Sequence, residues 1–79
     1  MTGSILIVDD EQDLVQTLEY ILEREGYAPT SVVTGKEALG ELGRDPLPDL
    51  VLLDLMLPDT SGIEICKQIR SDEIGRAHV

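Results

Sequence analysis

The chain has 79 residues, 42% of them hydrophobic, with 16 acidic side chains against 6 basic ones and a formal net charge of −10. That length allows one small domain, burying only a little over roughly 60% of its unfolded surface. The apolar fraction excludes a disordered chain, and the charge argues against direct binding of nucleic acid or an anionic membrane surface by this segment, since phosphates need a basic stripe. Tyr20 and Tyr27 are the only aromatics, so the expected core is aliphatic. Cys66 is the single cysteine, which rules out an internal disulfide or a cysteine metal cluster. The apolar run of residues 5–8 is too short for a signal peptide or a spanning helix, so the expected location is the cytoplasm.

Ile5-Leu6-Ile7-Val8 is an unbroken apolar run, the pattern of a strand covered on both faces as in a parallel sheet. Leu14, Leu18, Ile21 and Leu22 then recur at helical spacing, with Val15 flanking the stripe. Gly26 sits where a C-terminal cap belongs, which predicts a helix over residues 11–25. Residues 28–33 read as a weaker strand whose strong β-formers are Val32 and Val33. Thr34-Gly35-Lys36-Glu37 has the form of a capping box. It opens a short helix with Ala38, Leu39 and Leu42 on one face, weakened by Gly40. After a loop punctuated by Pro46 and Pro48, Leu50-Val51-Leu52-Leu53 gives the second buried strand. Pro58-Asp59-Thr60 is turn chemistry. Ser61-Gly62-Ile63-Glu64 is another capping box, leading into a helix that carries Ile65, Cys66 and Ile69. The order β-α-β-α-β-α with short connections predicts a doubly wound parallel α/β sheet.

Three aspartates stand out by position. Asp9 and Asp10 end the first strand, and Asp54 ends the third. Ligands of open α/β sheets bind at the carboxyl ends of the strands, where the strand order reverses. With the first and third strands as neighbours, that crevice lies between these carboxylates. They repel one another unless a cation sits among them, and a hard divalent ion such as Mg²⁺ suits all-oxygen ligands. The plainer reading is that aspartate is common after strands and that Asp10 caps the first helix. Cys66 reads as a small packing residue, and Lys36, Arg44, Lys67 and Arg70 as solvated surface charges.

Two blocks carry a resemblance. Ile5-Leu6-Ile7-Val8-Asp9-Asp10-Glu11, and later Asp54-Leu55-Met56-Leu57-Pro58-Asp59 with Ser61-Gly62, resemble the receiver domain of two-component response regulators, in the family's order and spacing. The resemblance covers residues 4–72. It implies a flavodoxin-like sheet, here with three strands in the order 2-1-3. Asp54 is then the phosphoacceptor, taking a phosphoryl group from a sensor histidine kinase or a histidine phosphotransfer domain. Asp9 and Asp10 form the acidic pocket; Asp10, Asp54 and the backbone carbonyl of Met56 hold Mg²⁺; Pro58 and Gly62 shape the adjoining loop. The implied protein is a bacterial cytoplasmic signalling module, not an enzyme. The Leu-Met-Leu-Pro wording is most similar to regulators with a winged-helix DNA-binding output domain, whose full-length forms can dimerise through their receivers.

The chain departs from the family after its third helix. A complete receiver continues with a strand ending in Ser or Thr and another ending in Lys, and no residue here takes those roles. Residues 1–72 are therefore expected to be a partial receiver that is not a competent switch. Ile74-Gly75-Arg76-Ala77-His78-Val79 resembles the translation of a sequencing adapter, ATC-GGA-AGA-GCA-CAC-GTC. Residues 73–79 are accordingly expected to be a non-native tail, and His78 no base or phosphodonor. One competing function is a Mg²⁺-dependent hydrolase of the haloacid-dehalogenase type. It needs a second carboxylate two residues after the nucleophile, where Met56 stands. A nucleotide-binding fragment lacks its glycine-rich loop. A gene fragment without function is the remaining alternative.

Overall fold

The first strand is apolar from Ile5 to Val8 because it lies in the middle of the sheet. The computed structural model describes residues 3–44 and 46–71; the expected tail at 73–79, with His78, lies outside the described residues. Its elements are β1 (Ser4–Val8), α1 (Gln12–Arg24), β2 (Ala28–Val32), α2 (Gly35–Leu42), β3 (Leu50–Leu53) and α3 (Gly62–Ser71). The strands form one parallel sheet in the order β2-β1-β3. Val8 pairs with Val32 on one side and with Leu53 on the other. A doubly wound α/β sheet with that strand order is what the sequence predicts.

Alternate residues of β1 feed two aliphatic cores. Leu6 and Val8 pack with Val51 under α2 and α3, through Ala38, Leu42, Ile65 and Ile69. Ile5 and Ile7 pack on the opposite face under α1, through Val15 with Leu18 and Leu22 beside it. Helix α1 thus covers one face and α2 with α3 cover the other. Both tyrosines are exposed, so burial on folding comes from aliphatic side chains.

Helix α1 presents a different stripe from the expected one. Val15 is its buried residue, whereas Leu14 and Ile21 are 42% and 50% exposed. A single helix over a narrow sheet contacts only the residues aimed straight at it, and Leu14 and Ile21 flank that line. Gly26 follows the helix with φ of 92°, a left-handed turn that favours glycine. Strand β2 ends at Val32, one residue short of the expected boundary. Val33 instead donates its backbone N–H to Glu37 Oε1 at 3.2 Å.

Helix α2 has the predicted cap, with Thr34 Oγ1 accepting from the Glu37 N–H at 3.1 Å. In return Glu37 Oε1 accepts from the Val33 N–H and from the Thr34 hydroxyl, each at 3.2 Å. The second box is half formed, with Ser61 Oγ accepting from the Glu64 N–H at 3.2 Å. Lys36, Arg44, Lys67 and Arg70 are exposed as expected, and Cys66 is half-buried. Among the described residues no helix is long and apolar enough to cross a membrane.

Candidate functional site

The parallel register that pairs Val8 with Leu53 puts the residues after them side by side at the carboxyl end of the sheet. The Asp54 N–H donates to the Val8 carbonyl at 2.9 Å, and the Asp9 N–H donates to the Val32 carbonyl at 3.1 Å. Both bonds carry the ladder one residue past the strand ends, so these backbones are fixed by the sheet. Asp9, Asp10 and Asp54 each offer a carboxylate oxygen, and these oxygens lie within 4.8 Å of one another. Asp9 and Asp54 are half-buried and Asp10 is exposed. The three aspartates singled out by position therefore meet.

Local hydrogen bonds aim two of them. Asp9 Oδ1 accepts from the Glu11 N–H at 2.9 Å, and Asp54 Oδ1 accepts from the Met56 N–H at 3.2 Å. Glu11 is the N-cap of α1, with no side-chain capping bond, so the plainer reading of Asp10 as the helix cap does not hold. The only ion pair among the described residues is Arg44 with Glu41, away from this cluster. Among the described residues no ion pair involves any of the three carboxylates. Two such charges at that separation repel by about 3 kcal/mol at an effective dielectric of about 20. Hard oxygen donors, clustered and in no ion pair among the described residues, fit a divalent ion of the Mg²⁺ kind.

The loop from Asp54 to α3 folds back on itself. Met56 and Ser61 form an isolated antiparallel bridge, and the Leu57 N–H donates to the Thr60 carbonyl at 3.0 Å. Pro58 sits exposed at the corner of that turn, and the Met56 side chain is 80% exposed, so its backbone is what the turn positions. Gly62 closes the base, donating its N–H to the Leu55 carbonyl at 2.8 Å. A Cβ on Gly62 would run into the Asp54 carbonyl oxygen and stand 2.9 Å from Leu55 Cα. Backbone is packed there against backbone, so only glycine fits.

Asp59 is a residue that sequence reasoning took only for turn chemistry. Its Oδ1 accepts from the Gly35 N–H at 2.7 Å and its Oδ2 from the Lys36 N–H at 3.0 Å. These two bonds, Gly35's first, hold the Asp59 carboxyl below the usual carboxylate range. Gly35 is buried, and a Cβ there would strike Thr60 Cγ2 and lie 3.0 Å from Ile65 Cδ1. The turn tip is thus seated on the start of α2. The available signal was a glycine directly after the Thr34 cap, at a position whose backbone does not demand one.

Residues 5–78 match the response regulator receiver domain family. The chain is 46% identical over 74 residues to the alkaline phosphatase synthesis transcriptional regulatory protein PhoP of Bacillus subtilis, covering 94% of this chain and 30% of PhoP. It is 43% identical over 72 residues to the DNA-binding response regulator MtrA of Mycolicibacterium smegmatis, covering 91% of this chain and 31% of MtrA. The chain thus spans about a third of the curated relatives it matches. Among solved structures it is similar to the response regulator protein TrrA of Thermotoga maritima in complex with Mg²⁺-BeF. That match has a TM-score of 0.83 and 37% identity, and covers 92% of this chain and 62% of TrrA.

Proposed function

The chain belongs to the response regulator receiver domain family, and from that premise we propose that Asp54 accepts a phosphoryl group from the phosphohistidine of a sensor kinase or phosphotransfer domain. The observation that carries this reading is the meeting of the Asp9, Asp10 and Asp54 carboxylates at the ends of adjacent parallel strands. An Asp54 carboxylate oxygen attacks phosphorus, the phosphorus–nitrogen bond breaks, and its electron pair leaves on the imidazole. The product is an aspartyl phosphate, a hydrolysable mark. Such transfer asks little covalent work of the protein beyond positioning and charge neutralisation. Asp54 is held for it from two sides, by its own N–H on Val8 and by the Met56 N–H on its Oδ1.

Asp10, Asp54 and the Met56 carbonyl would hold Mg²⁺, with Asp9 completing the acidic pocket. The ion supplies positive charge between carboxylates and phosphoryl oxygens that would otherwise repel. TrrA, solved with Mg²⁺-BeF, supports that choice of metal. Pro58 and Gly62 keep the adjoining loop in shape. The proposed location is the cytoplasm. The relatives PhoP and MtrA are named as transcriptional and DNA-binding regulators, which supports a winged-helix output in the whole protein. Receiver dimerisation would belong to that whole protein.

The test is phosphorylation of the full-length protein by acetyl phosphate. Labelling should require Mg²⁺ and vanish in Asp54→Asn, which removes the nucleophile and nearly conserves shape. Asp10→Asn should raise the Mg²⁺ requirement and recover in part at high metal. Full, acid-stable labelling of Asp54→Asn would move the phosphoacceptor elsewhere.

A further inference from the structure

We infer that Asp59 is a positioning residue for the phosphorylation site, tethering the turn that carries Met56 to the first turn of α2. The inference rests on the reading of Asp54 and the Met56 carbonyl given above, and adds a residue outside that set.

The backbone donors at the start of α2 are fully accounted for. The Gly35 and Lys36 N–H groups go to Asp59, the Glu37 N–H to Thr34 Oγ1, and the Ala38 N–H to the Thr34 carbonyl. Helix α2 thus borrows two of its cap acceptors from a loop more than twenty residues further along the chain. A carboxylate is the side chain that can take both N–H groups at once, and its charge suits a helix N-terminus. The contact is close as well as polar: Gly35 leaves room for Thr60 and Ile65 that a Cβ would fill.

The consequence for the site follows from the turn itself. Met56 and Ser61 pair at its base, Leu57 and Thr60 bond across it, and Asp59 stands at its tip. Gly62 ties the base to Asp54 and Leu55, and Asp59 ties the tip to α2. Met56 lies between the two anchors. With only the base held, the turn can pivot and its carbonyl loses a fixed direction; with both held, it cannot. Asp59 therefore preorganises a backbone ligand without touching the ion.

Two variants of the full-length protein separate this role from simple helix capping. Asp59→Ala removes the tether and two cap bonds, whereas Thr34→Ala removes a cap bond of the same helix and leaves the turn alone. Mg²⁺ affinity is measured by calorimetric titration with the metal alone, before any phosphodonor is added. Asp59→Ala should weaken Mg²⁺ binding about tenfold or more, the usual effect of losing a residue that orients a ligand. Asp59→Asn, which keeps one acceptor and remains the safer fold, should fall between it and the unsubstituted protein. Thr34→Ala should bind Mg²⁺ as the unsubstituted protein does. Unchanged affinity in both Asp59 variants, or an equal loss in Thr34→Ala, would overturn the inference. If the unsubstituted protein takes up no Mg²⁺, the metal site fails first and this inference goes with it. Loss of labelling in Asp54→Asn is independent of that result and still tests the phosphoacceptor.

Discussion

At the scale of single residues, the site depends on carboxylates for chemistry and on glycines for approach. Gly62 has no left-handed backbone to explain it; what it supplies is space for the Asp54 carbonyl. Gly62→Ala should therefore push the Asp54–Leu55 backbone away from the start of α3 rather than strain its own backbone. Overpacking of this kind costs about 1–3 kcal/mol. The loss should appear as a lower urea midpoint with an unchanged slope, together with weaker acetyl-phosphate labelling. Gly40, with nothing within 4 Å of a Cβ, is the control, and Gly40→Ala should hold or raise stability as a better helix former. Equal destabilisation by both substitutions would mean that backbone approach is not what Gly62 provides.

At the scale of elements, two ties decide the geometry: burial of α2 on the sheet and the bond from Asp59 to its start. Leu42 is only 1% exposed, so Leu42→Ala should cost about 2–5 kcal/mol, read from chemical unfolding. The Asp59 tie depends on pH in a definite sense. Its folded carboxyl is held below the ordinary value of 3.8, so the bond stabilises fully above that value and is lost as pH falls through the lower, folded value. The melting-temperature gap between the unsubstituted protein and Asp59→Asn should accordingly narrow below pH 3.8 and be constant near neutrality. Strands β1 and β3 were legible because parallel strands covered on both faces leave no polar alternation, and the three aspartates were legible because they end those strands. Helix α2 was legible through Thr34 and Glu37, which speak across three residues. Leu14 and Ile21 misled because periodicity reports a helical face and not how wide a sheet lies beneath it. Asp59 and Gly35 were illegible because their contact joins segments that local pattern cannot relate.

At the scale of the molecule, the sheet has two unlike edges. Strand β2 carries Pro29, which withholds a backbone donor, whereas β3 reads Leu-Val-Leu-Leu with only Val51 buried and the rest half-buried. Unpaired backbone beside apolar side chains invites edge-to-edge pairing. The 79-residue polypeptide made alone should therefore associate with rising concentration, protect its amides poorly from exchange, and show no structural response to acetyl phosphate. A monomer with a sharp cooperative melt would contradict that expectation. Within the full-length protein the same sheet end carries the central claim, that Asp54 is the residue phosphorylated. The direct measurement is to treat that protein with Mg²⁺ and acetyl phosphate, reduce it with borohydride, and map the product by peptide mass spectrometry. Borohydride converts an aspartyl phosphate to homoserine, so homoserine should appear at position 54 and only when Mg²⁺ is present. Homoserine at position 9 or 10, or a stable phosphate on a serine or threonine with position 54 unmodified, would contradict the account.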